Sequence, residues 1–469
     1  MDNKEVLIQD QTDLNLLIPK HKSVLPDLLA LISSVDFRDL AELPHKDTIK
    51  KKHFIICVVE EILRIAKVHN FGLARKWDFF YLYNGAYWQL LDDQQLTDFL
   101  GKAAEKMGVE KFDARHYQFR DELLKQFIVS AHLQKPELSE GITIINLLNG
   151  TLEIGKKTVI RPFDPKDFIT YQLPYDYNPE ATAPRFMKYL NEVLPDRTAQ
   201  NVIAEFLGYV FIPNSHLKLE KALLLYGPGA NGKSVYFEIV KALLGNENLS
   251  SYSLSSLTNE TGYYRAEIAN KLVNYASEIN GNLEAARFKA LVSGEPIEAR
   301  KPYGQAFILE NYARLIFNTN ELPRDVEHTL AYFRRFLIIP FNVTIPESRQ
   351  DKELSNRIIE NELPGVFNWI LGGLKRVLTQ RNFSKCELAE QELNEFKRQS
   401  DSVQMFLEDQ NLNPDPDDWT IIKELYIKYR TYCYEDGYKP VGKKIFIKRL
   451  DRIGILLERK APGMVAYLS

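Results

Sequence analysis

The chain has 469 residues, 45% of them hydrophobic and 26% charged, which is enough apolar material for about two to four domains of roughly 150 residues each. A formal net charge of −3 excludes a global electrostatic pull toward DNA or a membrane, so any nucleic-acid contact must come from a local patch. Cys57, Cys386 and Cys433 lie far apart with no CxxC or HExxH, which argues against a disulfide framework or a zinc site and marks them as core thiols.

The opening MDNKEVLIQDQTD lacks the apolar core of a signal peptide. No apolar run approaches the ~20 residues of a membrane helix, and Val366 to Leu374 is among the longest candidates. A cytosolic protein is expected. Residues 1–140 mix helical periodicity (Phe54, Ile55, Val58, Ile62, Ile65) with a strand pair, FFYLYNGAYWQLL, in which Asn84-Gly85 suits a tight type I′ turn. Asn149-Gly150 inside INLLNGTLEI reads the same way. Pro162, Pro165, Pro174, Pro179 and Pro184 then mark a connector laid over a surface. Helices are predicted over about 186–194 and 199–211.

From Lys221 short apolar runs alternate with helical stretches: ALLLY (222–226), KLVNYA (271–276), ARLIFN (313–318) and RFLIIPF (335–341). Such runs suit strands covered on both faces, hence a parallel α/β sheet. Between the first run and a helix sits GPGANGKS, which fits G-x-x-x-x-G-K-[ST] through Gly227, Gly232, Lys233 and Ser234, with Pro228, Gly229, Ala230 and Asn231 between them. Glycines let backbone N–H groups converge on phosphate, Lys233 neutralises its charge, Ser234 ligates Mg²⁺, and the helix from Val235 adds its positive end. Gly227, Gly229 and Gly232 also spell a dinucleotide fingerprint. That reading needs an acid ending a second strand about 20 residues on, where LLGNENLSSYSLSS is loop-like, and it leaves Lys233-Ser234 unexplained.

Downstream, Glu278 ends the KLVNYA strand, where a carboxylate polarises water and holds Mg²⁺. Asn320 ends ARLIFNTN, placed to sense a γ-phosphate, and Arg334-Arg335 precede RFLIIPF, placed to stabilise charge on a neighbouring subunit's nucleotide. Residues 350–400 are helical and charged, with apolar spacing at Leu354, Ile358, Ile359 and Leu363, and PDPDD breaks the chain at 414–418. Asp415-Pro416-Asp417 in that break is no polymerase metal pair, and Asp418 or Thr420 suits an N-cap. Residues 401–469 give three helices and two strands, a winged-helix pattern. In its third helix Ile445, Phe446, Leu450 and Ile453 are expected buried, and Lys444, Lys448 and Arg452 form a separate basic stripe. Residues 441–469 carry seven Lys or Arg (443, 444, 448, 449, 452, 459, 460) against Asp451 and Glu458, a local patch suited to duplex DNA.

In this order the segments LLYGPGANGKS, ASEIN, LVSGEPIEARKPYG, LIFNTNELP and YFRRFLIIPF resemble a superfamily 3 helicase, a branch of the AAA+ ATPases. With INLLNGTLEI, LPYDYNP and EFLGYVFIP, residues 141–469 resemble the helicase half of phage and plasmid primase-helicases, related to those of poxviruses. The resemblance implies an AAA+-like P-loop core over 216–345; around it the residues read as a mixed α+β region over 1–140, a connector and helical region over 141–215, a helical segment over 346–400 and a C-terminal winged helix over 401–469. It implies ATP and Mg²⁺ as cofactors, a hexameric ring with ATP between subunits, and translocation on single-stranded or forked DNA. Carried over, Lys233 and Ser234 belong to Walker A, Glu278 is the Walker B acid, though Ile279 stands where a second acid is common, and Asn320 is sensor 1. Arg335 is the better match to the arginine finger, with Arg334 second. FKALVSGEPIEARKPYG matches a pore hairpin in which Lys301 meets DNA phosphate, flanked by Arg300 and Tyr303. No primase carboxylates occur, so a primase or polymerase would be a separate partner, in a bacterial host cytoplasm. An origin-binding initiator or loader, and a nucleotide-dependent switch or scaffold, are the alternatives.

Overall fold

The computed structural model describes residues 24–76, 79–131, 141–277, 279, 284–302, 304–323 and 326–469. Near the N-terminus, helices Lys51–Val68, Asp93–Met107 and Tyr117–Ser130 bury apolar stripes against one face of an antiparallel sheet. Its strands are β1 (Gly72–Lys76), β2 (Phe79–Tyr83) and β3 (Trp88–Leu91), in that order. Every residue of β2 is buried. Phe80 and Leu82 face the helices, whereas Phe79, Tyr81 and Tyr83 join a second apolar cluster built on the central sheet. This region therefore shares a core with the rest of the chain.

Both Asn-Gly turns differ from the type I′ expectation. Tyr83 pairs with Trp88, so the first loop spans 84–87. The Asn84 side-chain carbonyl accepts from the amides of Ala86 and Tyr87, both at 3.0 Å, which satisfies the longer loop. In the second case Leu147, in β4 (Thr143–Leu147), pairs with Gly150, which opens β5 (Gly150–Ile154), so the turn is Leu148-Asn149. The Asn149 amide bonds both backbone groups of Tyr177, anchoring the Pro-rich connector. Strand β6 (Thr158–Arg161) completes this sheet.

The central sheet is five-stranded and wholly parallel. It comprises β7 (Ala222–Tyr226), β8 (Leu249–Ser250), β9 (Val273–Ala276), β12 (Arg314–Thr319) and β13 (Phe336–Pro340), in the order β13-β7-β12-β9-β8. Between β9 and β12 projects an antiparallel hairpin, β10 (Ile297–Arg300) and β11 (Ala306–Leu309). Alternate residues serve opposite cores. Leu223 and Leu225 pack with helices Pro184–Val193, Arg197–Tyr209 and Leu354–Gln380, while Ala222 and Leu224 face the cluster shared with β2. That two-sided burial explains the unbroken apolar runs.

Helices Arg197–Tyr209 and Leu354–Gln380 approach unusually closely, because glycines line the crossing. A Cβ at Gly373 would lie 2.3 Å from the Ala204 carbonyl carbon, and one at Gly208 would lie 2.6 Å from the Leu374 nitrogen. Beside the crossing, Glu205 is fully buried and receives Arg376 at 2.8 Å and the Ser384 amide at 2.7 Å. Among the described residues no helix is long and apolar enough to cross a membrane; Val366 to Leu374 lies within the 27-residue helix.

At the C-terminus, helices Ser402–Asp409, Ile422–Glu435 and Lys443–Ile453 share a core with a three-stranded antiparallel sheet. Its strands β14 (Thr420–Ile421), β15 (Leu457–Lys460) and β16 (Gly463–Ala466) run in the order β14-β16-β15. Ile422–Glu435 has Ile421 at its N-cap, not Asp418 or Thr420, because Thr420 is drawn into pairing with Ala466. Ile445 and Ile453 are exposed at 50% and 37%; the buried stripe reduces to Phe446 and Leu450, and Phe446 packs on Tyr426 and Tyr429 of helix Ile422–Glu435. Cys57, Cys386 and Cys433 are buried and in no disulfide.

Gly373→Ala is expected to force the two helices apart, at a cost of about 1–3 kcal/mol. A thermal melt reads this as a lowered midpoint; an unchanged midpoint would show that the crossing has slack.

Candidate functional site

The loop after β7 is shaped by contacts that only particular residues permit. Gly227 has φ 147°, and a Cβ there would lie 2.4 Å from the carbonyl oxygen of Phe341. Gly232 has φ 85°, and a Cβ would meet Val193 Cγ1 at 2.7 Å. Both positions require glycine. Gly229 faces open space, so the central glycine of a dinucleotide fingerprint has no steric reason here. The loop is braced from β13 and beyond: Asn231 Nδ2 donates to the Phe341 carbonyl at 2.9 Å, and the Ile345 amide donates to Ala230 at 2.8 Å. From the other side the Tyr189 hydroxyl donates to the Gly232 carbonyl at 2.7 Å.

Lys233, at the first turn of helix Lys233–Leu244, is 6% exposed. Its amine donates to the carbonyls of Gly227 and Pro228, and no carboxylate pairs with it among the described residues. Burial pulls the amine down to about 8. A buried cation with only neutral carbonyls for company favours an arriving anion. The helix N-terminus beside it adds free amides and the positive end of the dipole.

A cavity of about 990 Å³ opens over the loop. It gathers Gly229 to Val235 with Asn320, which is exposed just past the end of β12. Because β12 lies beside β7, Asn320 and the loop emerge at the same end of the sheet. Ser234 is exposed to this cavity, as is Ser277 at the end of β9. Glu278 and Tyr303 lie outside the described residues. Residues that sequence reading missed form the facing wall: Arg185, Lys188, Arg349 and Arg357. They come from helices and loops without a motif, and Arg349 and Arg357 are partly neutralised by Glu192 and Asp351.

The two arginines ahead of β13 lie at the other end of the sheet and exchange rank. Arg335, the first choice as a finger, is 7% exposed, and its guanidinium donates to Ala331 and Lys289 carbonyls and to Ser293 Oγ at 2.9 Å. It also lies 3.7 Å from Glu220, so its guanidinium is used within its own chain. Arg334 is exposed, with a single pairing to Glu220 at 2.9 Å. In the β10–β11 hairpin, Arg300 Nε closes the turn on the Gly304 carbonyl at 2.9 Å. Lys301 lies 3.4 Å from Asp93 and 5.1 Å from the Phe79 ring centroid, docked on the N-terminal region. Lys444, Lys448 and Arg452 are exposed on the last helix, whereas Arg449 is committed to buried Asp401 at 2.7 Å.

Residues 225–335 match a family of unknown function, DUF5906, and residues 63–195 match the family described as D5 N terminal like. A protein of Acanthamoeba polyphaga mimivirus named "Putative helicase L207/L206" is 23% identical over 244 residues, which is 50% of this chain and 25% of that protein. The chain thus spans only a quarter of the length of that curated relative. Among solved structures, the apo A form of the NrS-1 C-terminal region has a TM-score of 0.49 at 14% identity, over 86% of this chain and 97% of that one. The apo structure of NrS-1 residues 305–718 has a TM-score of 0.47 at 15% identity, over 88% and 98%.

The lowered Lys233 pKa gives a test. An anion bound to the amine raises its pKa again, so binding takes up a proton above pH about 8. Affinity for a nucleoside triphosphate is expected to fall by up to about tenfold per pH unit above that point. Lys233→Arg, which stays charged, should flatten the profile. A flat profile in the unaltered protein would show that the amine does not meet the ligand.

Proposed function

We propose that this chain is an ATP-driven DNA helicase motor of viral or phage replication. The observation that carries the reading is Lys233, a buried amine held on loop carbonyls at a helix N-terminus, sharing one cavity with Asn320 from the adjacent strand. The similarity to a named viral helicase over 244 residues supports the same reading.

ATP is the ligand we assign to the cavity, with Mg²⁺ carried on its phosphates. The donor set fits that group: a desolvated amine, glycines whose missing Cβ leaves room for backbone approach, and an exposed Ser234 hydroxyl. The metal would neutralise charge on the β- and γ-phosphates. In this reading Lys233 turns from its two carbonyls to the phosphates, loop amides cradle them, and Asn320 orients the attacking water. Glu278 is assigned the role of polarising that water.

A ring of identical subunits remains our reading, with the finger reassigned. Arg334 is exposed and near Leu330, itself 81% exposed, whereas Arg335 serves its own fold. The β10–β11 hairpin with Arg300, Lys301 and Tyr303 is the proposed grip on single-stranded DNA, and Lys444, Lys448 and Arg452 the proposed contact with duplex. These cations would hold backbone phosphate without reading sequence. A separate primase or polymerase partner belongs to the same proposal.

DNA-stimulated ATP hydrolysis tests the assignment. Lys233→Ala is expected to lower turnover by at least about a hundredfold, in the range of lost electrostatic stabilisation. Arg334→Ala should lower turnover with an unchanged melting midpoint. Arg335→Ala should instead lower the midpoint, because it leaves Ser293 and two carbonyls unpaired. Undiminished turnover in Lys233→Ala would sink the motor reading, and undiminished turnover in Arg334→Ala would sink the finger.

A further inference from the structure

At the opposite end of the parallel sheet from the phosphate loop lies a second cavity, of about 800 Å³, within the size range of small-molecule sites. Asn270 to Leu272 enter it just before β9, and Arg314 enters it at the first residue of β12. The Pro-rich connector and the chain that follows helix Arg197–Tyr209 supply the other walls.

The polar groups in this cavity are incompletely used. Arg314 stacks 4.1 Å from the Tyr209 ring and gives one hydrogen bond, from Nη2 to the Ile212 carbonyl at 3.1 Å. A guanidinium has five N–H donors. No carboxylate pairs with Arg314 among the described residues, and burial disfavours its charged form. Beside it Lys271 is also desolvated; its amine donates to the Glu247 carbonyl, and the Glu247 and Glu267 carboxylates offset part of the burial. Of the acids at the wall, Asp167 is held by Arg161 through two contacts at 2.8 and 2.9 Å, and Glu310 is exposed.

Two side-chain amides point to more than a bare anion. Asn270 has φ 57°, and its carbonyl oxygen accepts from Tyr81 and Asn311, both at 3.2 Å, which leaves Nδ2 buried with no partner. Asn214 Oδ1 is likewise buried and unpartnered. Buried polar atoms of this kind are rare unless a ligand or water meets them. Tyr171 and Phe211, with ring centroids 6.1 Å apart, add an aromatic wall.

We propose that this cavity binds a nucleotide unit, its phosphate on Arg314 and Lys271 and its base edge on Asn214 and Asn270. The shared chemistry is a nucleoside phosphate, supplied either free or as one residue of a DNA strand. The site does not rest on the phosphate loop, and the test separates the two by using full-length Lys233→Ala protein throughout. Binding of deoxyadenosine 5′-monophosphate and of a thymidine decanucleotide is measured by calorimetry. At least one probe is expected to bind saturably, and Arg314→Gln is expected to weaken it by at least about tenfold, the scale of a lost charge-assisted contact. Displacement of the monophosphate by the oligonucleotide, or binding of the oligonucleotide alone that Arg314→Gln weakens, assigns the unit to a strand. Monophosphate binding that the oligonucleotide leaves untouched assigns it to a free nucleotide. Asn214→Leu, which leaves the Arg314 contact with Tyr209 in place, should weaken the same probe and serves if Arg314→Gln melts. The proposal is overturned if neither probe binds saturably, or if binding ignores the substitutions.

Discussion

The amine of Lys233 is desolvated, and among the described residues its hydrogen-bond partners are two backbone carbonyls. A charge in that position is costly unless an anion completes it, so the surroundings must hold the loop rigid while it waits. Asn231 on the Phe341 carbonyl, Ile345 on Ala230 and Tyr189 on Gly232 do so from three sides. Those braces arise from the strand that follows Arg335 and from a helix that precedes the sheet. The loop's shape is therefore a property of the whole central fold, and Gly227 and Gly232 are the positions where that fold tolerates no Cβ.

The central sheet was legible because its physics is local. Strands buried on both faces must be apolar throughout, so β7, β9, β12 and β13 stand out as runs, each within a residue or two of its expected ends. The loop after β7 was legible in its glycines, since Gly227 and Gly232 stand where positive φ and close neighbours leave no room for a Cβ. Exposure was harder to read. Ile445 and Ile453 fall on the helical period of a buried stripe, yet the neighbouring helices bury only Phe446 and Leu450 of it. Arg334 and Arg335 are neighbours in sequence, and only the partners found by folding separate a buried structural arginine from an exposed one.

Long-range docking left the weakest trace. Nothing in β2 as a sequence reveals that Phe79, Tyr81 and Tyr83 pack against the central region, or that Lys301 rests on Phe79 and Asp93. The match over residues 63–195 crosses residue 141, where the resemblance began in the sequence, and runs from the shared-core segment into the connector. Both loops named from Asn-Gly also shifted: the first lengthens to four residues around the Asn84 side chain, and the second moves back to Leu148-Asn149, with the Asn149 amide spent on Tyr177.

The most direct test of the account is a crystal structure of the protein with a non-hydrolysable ATP analogue and Mg²⁺. The account predicts Lys233 Nζ turned from the Gly227 and Pro228 carbonyls to the β- and γ-phosphates, with Asn320 facing the γ-phosphate. An analogue bound elsewhere, or a Lys233 still on those carbonyls with the cavity filled, would contradict it.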